Sequence, residues 1–316
     1  MTPPSHHESL TSLLVDGVND VVVTDDGRIW RDEAGALTLY GHIDRRALHA
    51  DLERILARSG RRLDRMSPIV DIRMDDGSRL CAVAPPVAVG GIHVALRRHG
   101  NTVPRLESFG SPATAHLLRT LVRRRATIVV TGATGAGKTT LVRALLAECG
   151  TGDDPTRRIV AVEDTAELVL GADAPAHLVR LETRPASPEG TPAIYAEDLV
   201  RTALRLRPDR IVVGEVRGDE VMALVQALNT GHRGCITTCH ANSAADAIDR
   251  LTTLMIRAAP TWPTAVVRAQ LGRALDIIVH LRRTGSQRAI DHIASVGPNG
   301  DVTNWDIEAG PVHAAP

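Results

Sequence analysis

Residues 132–140 read Gly-Ala-Thr-Gly-Ala-Gly-Lys-Thr-Thr, directly after the apolar run Thr127-Ile128-Val129-Val130. The spacing G-x-x-x-x-G-K-[ST] at a strand-to-helix handover demands a glycine-lined turn whose backbone N–H groups converge on an anion. A side chain at a glycine position would hold those groups away from phosphate oxygens. Gly132, Ala133, Thr134, Gly135, Ala136, Gly137, Lys138, Thr139 and Thr140 therefore form a candidate phosphate cradle. Lys138 supplies a point charge for the β- and γ-phosphates, and Thr139 offers a hydroxyl to Mg²⁺. Leu141, Val142, Leu145 and Leu146 recur on one face, predicting a helix whose positive end faces the same anion. A chance match would carry neither strand nor helix, so the expected ligand is a nucleoside triphosphate with Mg²⁺.

The rest of the chain narrows the partners. At 316 residues it is long enough for two domains of roughly 100–200 residues each. Aromatics make up only 2%, so the cores must be built from Leu, Val, Ile and Ala. That scarcity argues against single-stranded nucleic acid, which needs stacking platforms. The formal net charge of zero gives no broad field towards DNA or anionic lipid. Arg61-Arg62 and Arg123-Arg124-Arg125 read as solvated surface, the second at a helix end that suits cations. Met1 to Ser9 has no basic n-region or apolar h-region, and no secretory signal is visible. The most apolar stretch, Cys81 to Leu96, is broken by Pro85, Pro86, Gly90 and Gly91 and is too short to span a bilayer. A cytosolic chain is expected, touching a membrane through a partner. Cys239 and His240 would point to opposite faces of a strand, so the four cysteines read as small, free residues in a reducing compartment rather than zinc ligands.

Two halves emerge. Residues 1–98 read as a small α+β domain, with hairpins turning at Asp25-Asp26-Gly27 and Asp75-Asp76-Gly77 and a further strand over Ile92 to Leu96. Asp44 is placed to cap a helix through Arg58 with Leu48, Leu52, Ile55 and Leu56 on one stripe, and Gly60 ends it. Residues 99–111, with Gly100, Asn101, Pro104 and Gly110, predict a linker. From 112 to 316, Ser111-Pro112 opens a helix to about Arg124. Strands at Ile128–Thr131, Ile159–Val162, Ile211–Val213 and Cys235–Thr238 then alternate with helices around Leu141–Leu146, Leu199–Leu206 and Val221–Leu228. Such alternation means an α/β domain with a mostly parallel sheet covered on both faces.

Ligands of such sheets gather at the carboxyl ends of the strands. Glu163-Asp164 ends one strand and Gly214-Glu215 another, with glycine where a strand-end aspartate is usual. An acid after a strand can be merely a helix cap, but two on neighbouring strands beside a phosphate cradle are better read as metal and water ligands. Glu163 is the preferred water-polarising residue, with Glu215 holding Mg²⁺ through its water shell, and the two roles are exchangeable. His240, after the fourth strand, is placed to report loss of phosphate to the following helix.

Several segments together resemble the secretion ATPase superfamily. Residues 159–168, Ile-Val-Ala-Val-Glu-Asp-Thr-Ala-Glu-Leu, are similar to its acidic box. Arg180-Leu181-Glu182-Thr183-Arg184-Pro185 resembles the tight-adherence (TadA/CpaF) branch in particular. Residues 206–218, ending Val213-Gly214-Glu215-Val216-Arg217-Gly218, resemble its second nucleotide motif, and Asn229-Thr230-Gly231-His232 with Thr238–Asn242 its histidine box. The resemblance implies a RecA-like P-loop ATPase domain behind a smaller N-terminal domain. It also implies a homo-oligomer, a hexamer, that hydrolyses ATP with Mg²⁺ at the cytoplasmic side of a bacterial inner membrane. Its partner would be an inner-membrane platform protein of a type II/IV-like secretion or Flp/Tad-type pilus system, and direct nucleic-acid binding is not expected. The alternative is a conjugative DNA-transfer ATPase or a nucleic-acid translocase. Arg79 and Arg97 match arginines of the N-terminal domain that reach the phosphates in that family, and Arg180 and Arg184 are weaker candidates for contacts across a subunit boundary.

Overall fold

The computed structural model describes residues 9–305 apart from 16, 34, 35, 99–102, 151–156, 187–189 and 286. Residues 1–8 of the Pro/Ser/His-rich start, and Gly100 and Asn101 of the expected linker, lie outside the described residues. The chain divides into two compact units, Met1–Gly100 and Asn101–Pro316.

In the first unit, β1 (Val18–Val23), β2 (Arg28–Glu33), β3 (Ala36–His42), β4 (Ile69–Arg73), β5 (Arg79–Val83) and β6 (His93–Arg97) form an antiparallel sheet of order β3-β2-β1-β6-β5-β4. The helix α1 (Arg45–Ser59) lies between β3 and β4 in the chain. Asp44 starts it by accepting from the N–H groups of Arg46 and Ala47, and Gly60 ends it at φ 65°. Leu48, Leu52 and Leu56 of α1 share a core with Val21, Val23, Leu80 and Leu96 of the sheet. Periodicity does not announce β3: Leu37 and Leu39 are exposed and only Gly41 is buried, the pattern of an edge strand paired on one side.

The second unit begins with α2 (Pro112–Arg123), capped by Ser111, whose hydroxyl accepts from the Thr114 N–H at 3.2 Å. There follow β7 (Ile128–Gly132), α3 (Lys138–Gly150), β8 (Ile159–Glu163), β9 (Leu178–Glu182), α4 (Ala196–Ala203), β10 (Arg210–Val213) and α5 (Glu220–Asn229). Then come β11 (Ile236–Cys239), α6 (Ala244–Ala258), α7 (Thr264–Ala274), β12 (Ile277–Thr284), β13 (Gln287–Val296) and β14 (Val302–Asn304). The eight strands run β14-β13-β12-β7-β11-β10-β8-β9. Those from β12 to β9 pair in parallel, and β13 and β14 extend one edge antiparallel. Alternate residues of each strand serve opposite faces. Val129, Val160, Val162, Ile211 and Val213 meet α4 to α7, whereas Ile128, Val130, Ile159, Ala161 and Val212 meet α2 and α3. The mostly parallel, doubly covered sheet is the architecture that the strand–helix alternation predicts.

The helix expected through Leu206 instead stops at Ala203, with a 3-10 turn over Leu204–Leu206 and Arg207 at φ 52°. Pro208 explains the break, because its ring drives the preceding residue out of the helical region. Burial pushes the Cys235 thiol up to about 12 and that of Cys239 to about 11, so both are unreactive core residues. Among the described residues no helix is long and apolar enough to cross a membrane.

Leu118 has no exposure, whereas Ser111 contributes one cap to the same helix. Leu118→Ala should therefore cost about 2–5 kcal/mol by loss of burial and cavity formation. Ser111→Ala should cost about 1 kcal/mol. Urea unfolding of the two variants checks the order, and equal losses would contradict the packing described.

Candidate active site

The loop comes first, because the strand order decides what else can reach it. β7 ends at Gly132 and α3 begins at Lys138, leaving residues 133–137 as the turn and Thr139 and Thr140 in the first turn of the helix. Gly135 and Gly137 take φ values of +75° and +95°, left-handed conformations that L side chains rarely adopt. Lys138 is only 8% exposed. Its Nζ donates to the carbonyls of Gly132 at 2.9 Å and Ala133 at 3.0 Å, and to Nδ1 of His240 at 3.2 Å. Burial holds the Lys138 amine below its ordinary range, with the Glu215 carboxylate pulling the other way.

β11 lies beside β7, with Cys239 opposite Thr131, so His240 emerges one strand from the loop. β10 is next, and Glu215 stands two residues past its end. His240 Nε2 is 3.3 Å from Glu215 Oε1. Because Lys138 donates to Nδ1, that nitrogen presents its lone pair and the Nε2–H faces the carboxylate. Burial and then Lys138 hold the imidazole below its ordinary range, which favours this neutral form. Arg217 continues the line: its Nη2 is 3.1 Å from Glu215 Oε2 and its Nε is 3.1 Å from Asp164 Oδ2. The structure thus brings together Lys138, His240 and Glu215, and adds Arg217 and Asp164, to which sequence reasoning assigned no role. Glu215 and Arg217 are two residues apart just past a strand, a spacing that favours a shared face and was the available signal.

Glu163 stands apart from this line of contacts. It ends β8, three strands from β7 and therefore about 14 Å away at ordinary strand spacing. Its carboxyl group is 4% exposed. Oε1 accepts from the N–H groups of Glu167 and Leu168, both at 2.8 Å, and Oε2 from Arg180 Nη2 at 3.4 Å. Burial raises its pKa above the ordinary range, against those two amides and Arg180. Its contacts clamp its own loop, so the carboxylate joined to the lysine is that of Glu215. Gly214 makes room for this: a Cβ there would stand 3.2 Å from Glu163 Cγ. Arg180 has its partner within the chain, in Glu163, and Arg184 donates to the Pro192 carbonyl at 3.2 Å.

Arg79 and Arg97 belong to the first unit. They face each other across the β5–β6 register, Arg79 paired with Asp71 at 2.8 Å and Arg97 with Asp20 at 3.5 Å. Among the described residues no three His, Cys, Asp or Glu side chains could together hold a metal ion. A hydroxyl and a single carboxylate, of the kinds Thr139 and Glu215 carry, are donors that suit Mg²⁺, an ion that keeps waters and takes phosphate oxygens rather than an all-protein cage.

A family model described as type II/IV secretion system protein matches residues 5–300. A Mycobacterium tuberculosis protein with conjugal transfer in its name is 38% identical over 94% of this chain and 87% of its own. The type IV secretion system protein PtlH of Bordetella pertussis is 32% identical over 88% of this chain and 89% of its own. Among solved structures, the VirB11 ATPase of the Brucella suis type IV secretion system, in complex with sulphate, aligns over 90% of both chains at 26% identity and a TM-score of 0.50.

The imidazole gives this site a pH signature. Burial and Lys138 make His240 harder to protonate in the fold than in the unfolded chain, where it titrates near 6.5. The unfolded state therefore takes the proton first, so this contribution to stability is complete above that value and is lost as pH falls through it. His280, buried and 2.9 Å from the Thr131 hydroxyl, shifts in the same direction. The melting temperature should fall on acidification from about pH 7.5 to about pH 5.5, and His240→Asn should flatten part of that fall. An identical slope in the variant would remove His240 from the account.

Proposed function

Because the chain belongs to the type II/IV secretion system protein family, we propose that it is an ATP-hydrolysing motor of a type IV-like secretion or conjugal-transfer machine. It works as a homo-oligomer, a hexamer, docked on an inner-membrane platform protein at the cytoplasmic face. The observation that carries this reading is the line Lys138–His240–Glu215 at the mouth of a glycine turn. Lys138 exchanges the Gly132 and Ala133 carbonyls for β- and γ-phosphate oxygens, as a point charge does. Glu215 polarises the attacking water, and Arg217 holds that carboxylate in one orientation. His240, released by Lys138, reports the state of the γ-phosphate to α6, which begins four residues later. Thr139 and Glu215 would hold Mg²⁺, which neutralises charge on the phosphates.

Positioning and electrostatics then supply most of the rate. Arg79 and Arg97 serve as further sources of positive charge for the transition state, a role worth about 10³–10⁵ in rate where an arginine finger acts. A conformational step coupled to nucleotide turnover would convert it into work. The Arg180–Pro185 motif supports Flp/Tad-type pilus assembly as the cargo system. The name of the mycobacterial relative supports conjugative DNA transfer, which stimulation of ATPase by DNA would reveal.

Lys138→Ala should lose ATP binding and turnover together. Glu215→Gln should keep ATP bound while phosphate release slows by about 10²-fold or more, the usual loss of a general base. Glu163→Gln should slow turnover far less, because its amide oxygen can still accept from Glu167 and Leu168. Single-turnover phosphate release with a parallel ATP-binding titration measures all three. Full turnover in Glu215→Gln would refute its role, and a larger loss in Glu163→Gln would return that role to Glu163.

A further inference from the structure

The hairpin that joins β12 to β13 carries two cations for which the described fold supplies no anion. Arg283 and Arg288 stand directly opposite in the antiparallel register, and both are exposed. Like charges facing each other across a strand pair are destabilising. At one other such pair the charges are cancelled: Arg79 and Arg97, also directly opposite, are paired with Asp71 and Asp20. Arg282, next to Arg283 but on the other face, is paired with Asp291 at 3.0 Å. Among the described residues neither Arg283 nor Arg288 has a carboxylate partner. Arg283 donates through Nε to the Gly285 carbonyl at 2.8 Å, and the Arg288 guanidinium makes no hydrogen bond among those residues.

Both arginines lie against the phosphate loop. Arg283 Nη1 is 3.2 Å from where a Cβ on Gly135 would stand, and Arg288 Cδ is 2.8 Å from the same point on Gly137. The strand pairing imposes this contact. β12 runs parallel to β7 with Leu281 opposite Gly132, so the residues beyond Leu281 overhang the turn that follows Gly132. Gly137 is therefore needed twice, for its left-handed φ and for the arginine stem beside it. Two uncancelled guanidiniums over a turn built to gather N–H groups make a second positive wall, and their planar forks match phosphate oxygens.

We propose that Arg283 and Arg288 bind the phosphate chain of the nucleotide from the hairpin side, in the same site as Lys138. This rests on the reading of residues 132–140 as a nucleotide loop. The two arginines hold the chain and take no part in the bond that breaks, so their loss falls on affinity and KM rather than on kcat.

The test uses the full chain, titrated with ATP and separately with inorganic triphosphate. The Arg283→Ala/Arg288→Ala variant should bind both about tenfold more weakly than wild type. The corresponding double Lys variant should recover much of the loss, since it restores charge without the fork. The double Ala variant should melt no lower than wild type, because it removes a repulsion rather than a support. Unchanged affinity for both ligands overturns the proposal. So does loss of ATP binding with triphosphate binding intact, which would place the arginines on the nucleoside, and so does a lower melting temperature, which would make them structural. A wild-type chain that binds neither ligand overturns the loop reading itself, and that failure shows in the unmutated protein.

Discussion

A buried ammonium group has to be met by acceptors or it neutralises. Lys138 is met by two carbonyls of its own turn and by one imidazole, and this threefold contact sets demands on much of the second unit. The carbonyls of Gly132 and Ala133 can point at Nζ only where the turn passes through left-handed glycines. The imidazole arrives because β11, not another strand, is the neighbour of β7 on that side. Exchanging β10 and β11 in the sheet order would set Glu215 beside the lysine and leave His240 a strand further off. The order β12-β7-β11-β10-β8 is therefore part of the chemistry of the site as well as of its packing.

The charges around that lysine lean one way. Burial disfavours the charged form of Lys138 and of His240 alike. An anion at the turn would reverse this, because a nearby opposite charge favours the protonated forms that burial opposes. Phosphate binding would then favour the charged lysine and imidazole and part Lys138 from His240, whose Nδ1 cannot accept once protonated. The imidazole between ammonium and carboxylate is held neutral by burial and by Lys138, and an anion at the turn would work against both.

The glycine turn between β7 and α3, the alternation of buried strands with amphipathic helices, and the caps at Asp44 and Ser111 were legible because each is a local signal with a local cause. The antiparallel edge of β13 and β14, the strand β9 and the edge strand β3 were not. Their residues are largely exposed or half-buried, so no period of two marks them. Position past a strand end pointed to Glu215 and His240, and the structure links both to Lys138 in one line of contacts. The same rule does not count intervening strands, and Glu163 lies three strands from β7. Arg283 and Arg288 were invisible to it, as their place depends on a hairpin register more than a hundred residues from the turn.

Glu163 still bears on the site, by a longer route. Its carboxyl group fixes the amides of Glu167 and Leu168 and so shapes the loop that begins with Asp164. Asp164 holds Arg217, and Arg217 holds Glu215. Each link is a charged contact of ordinary length, and the first is buried, where an unsatisfied partner is costly. Gly214 suits the series, since a Cβ there would stand 3.2 Å from Glu163 Cγ and press on its tuck. The replacement of the usual strand-end aspartate by glycine therefore reads as the structural condition for moving one acid, Glu163, behind another, Glu215. In this arrangement the first acid holds the loop whose Asp164 reaches, through Arg217, the second.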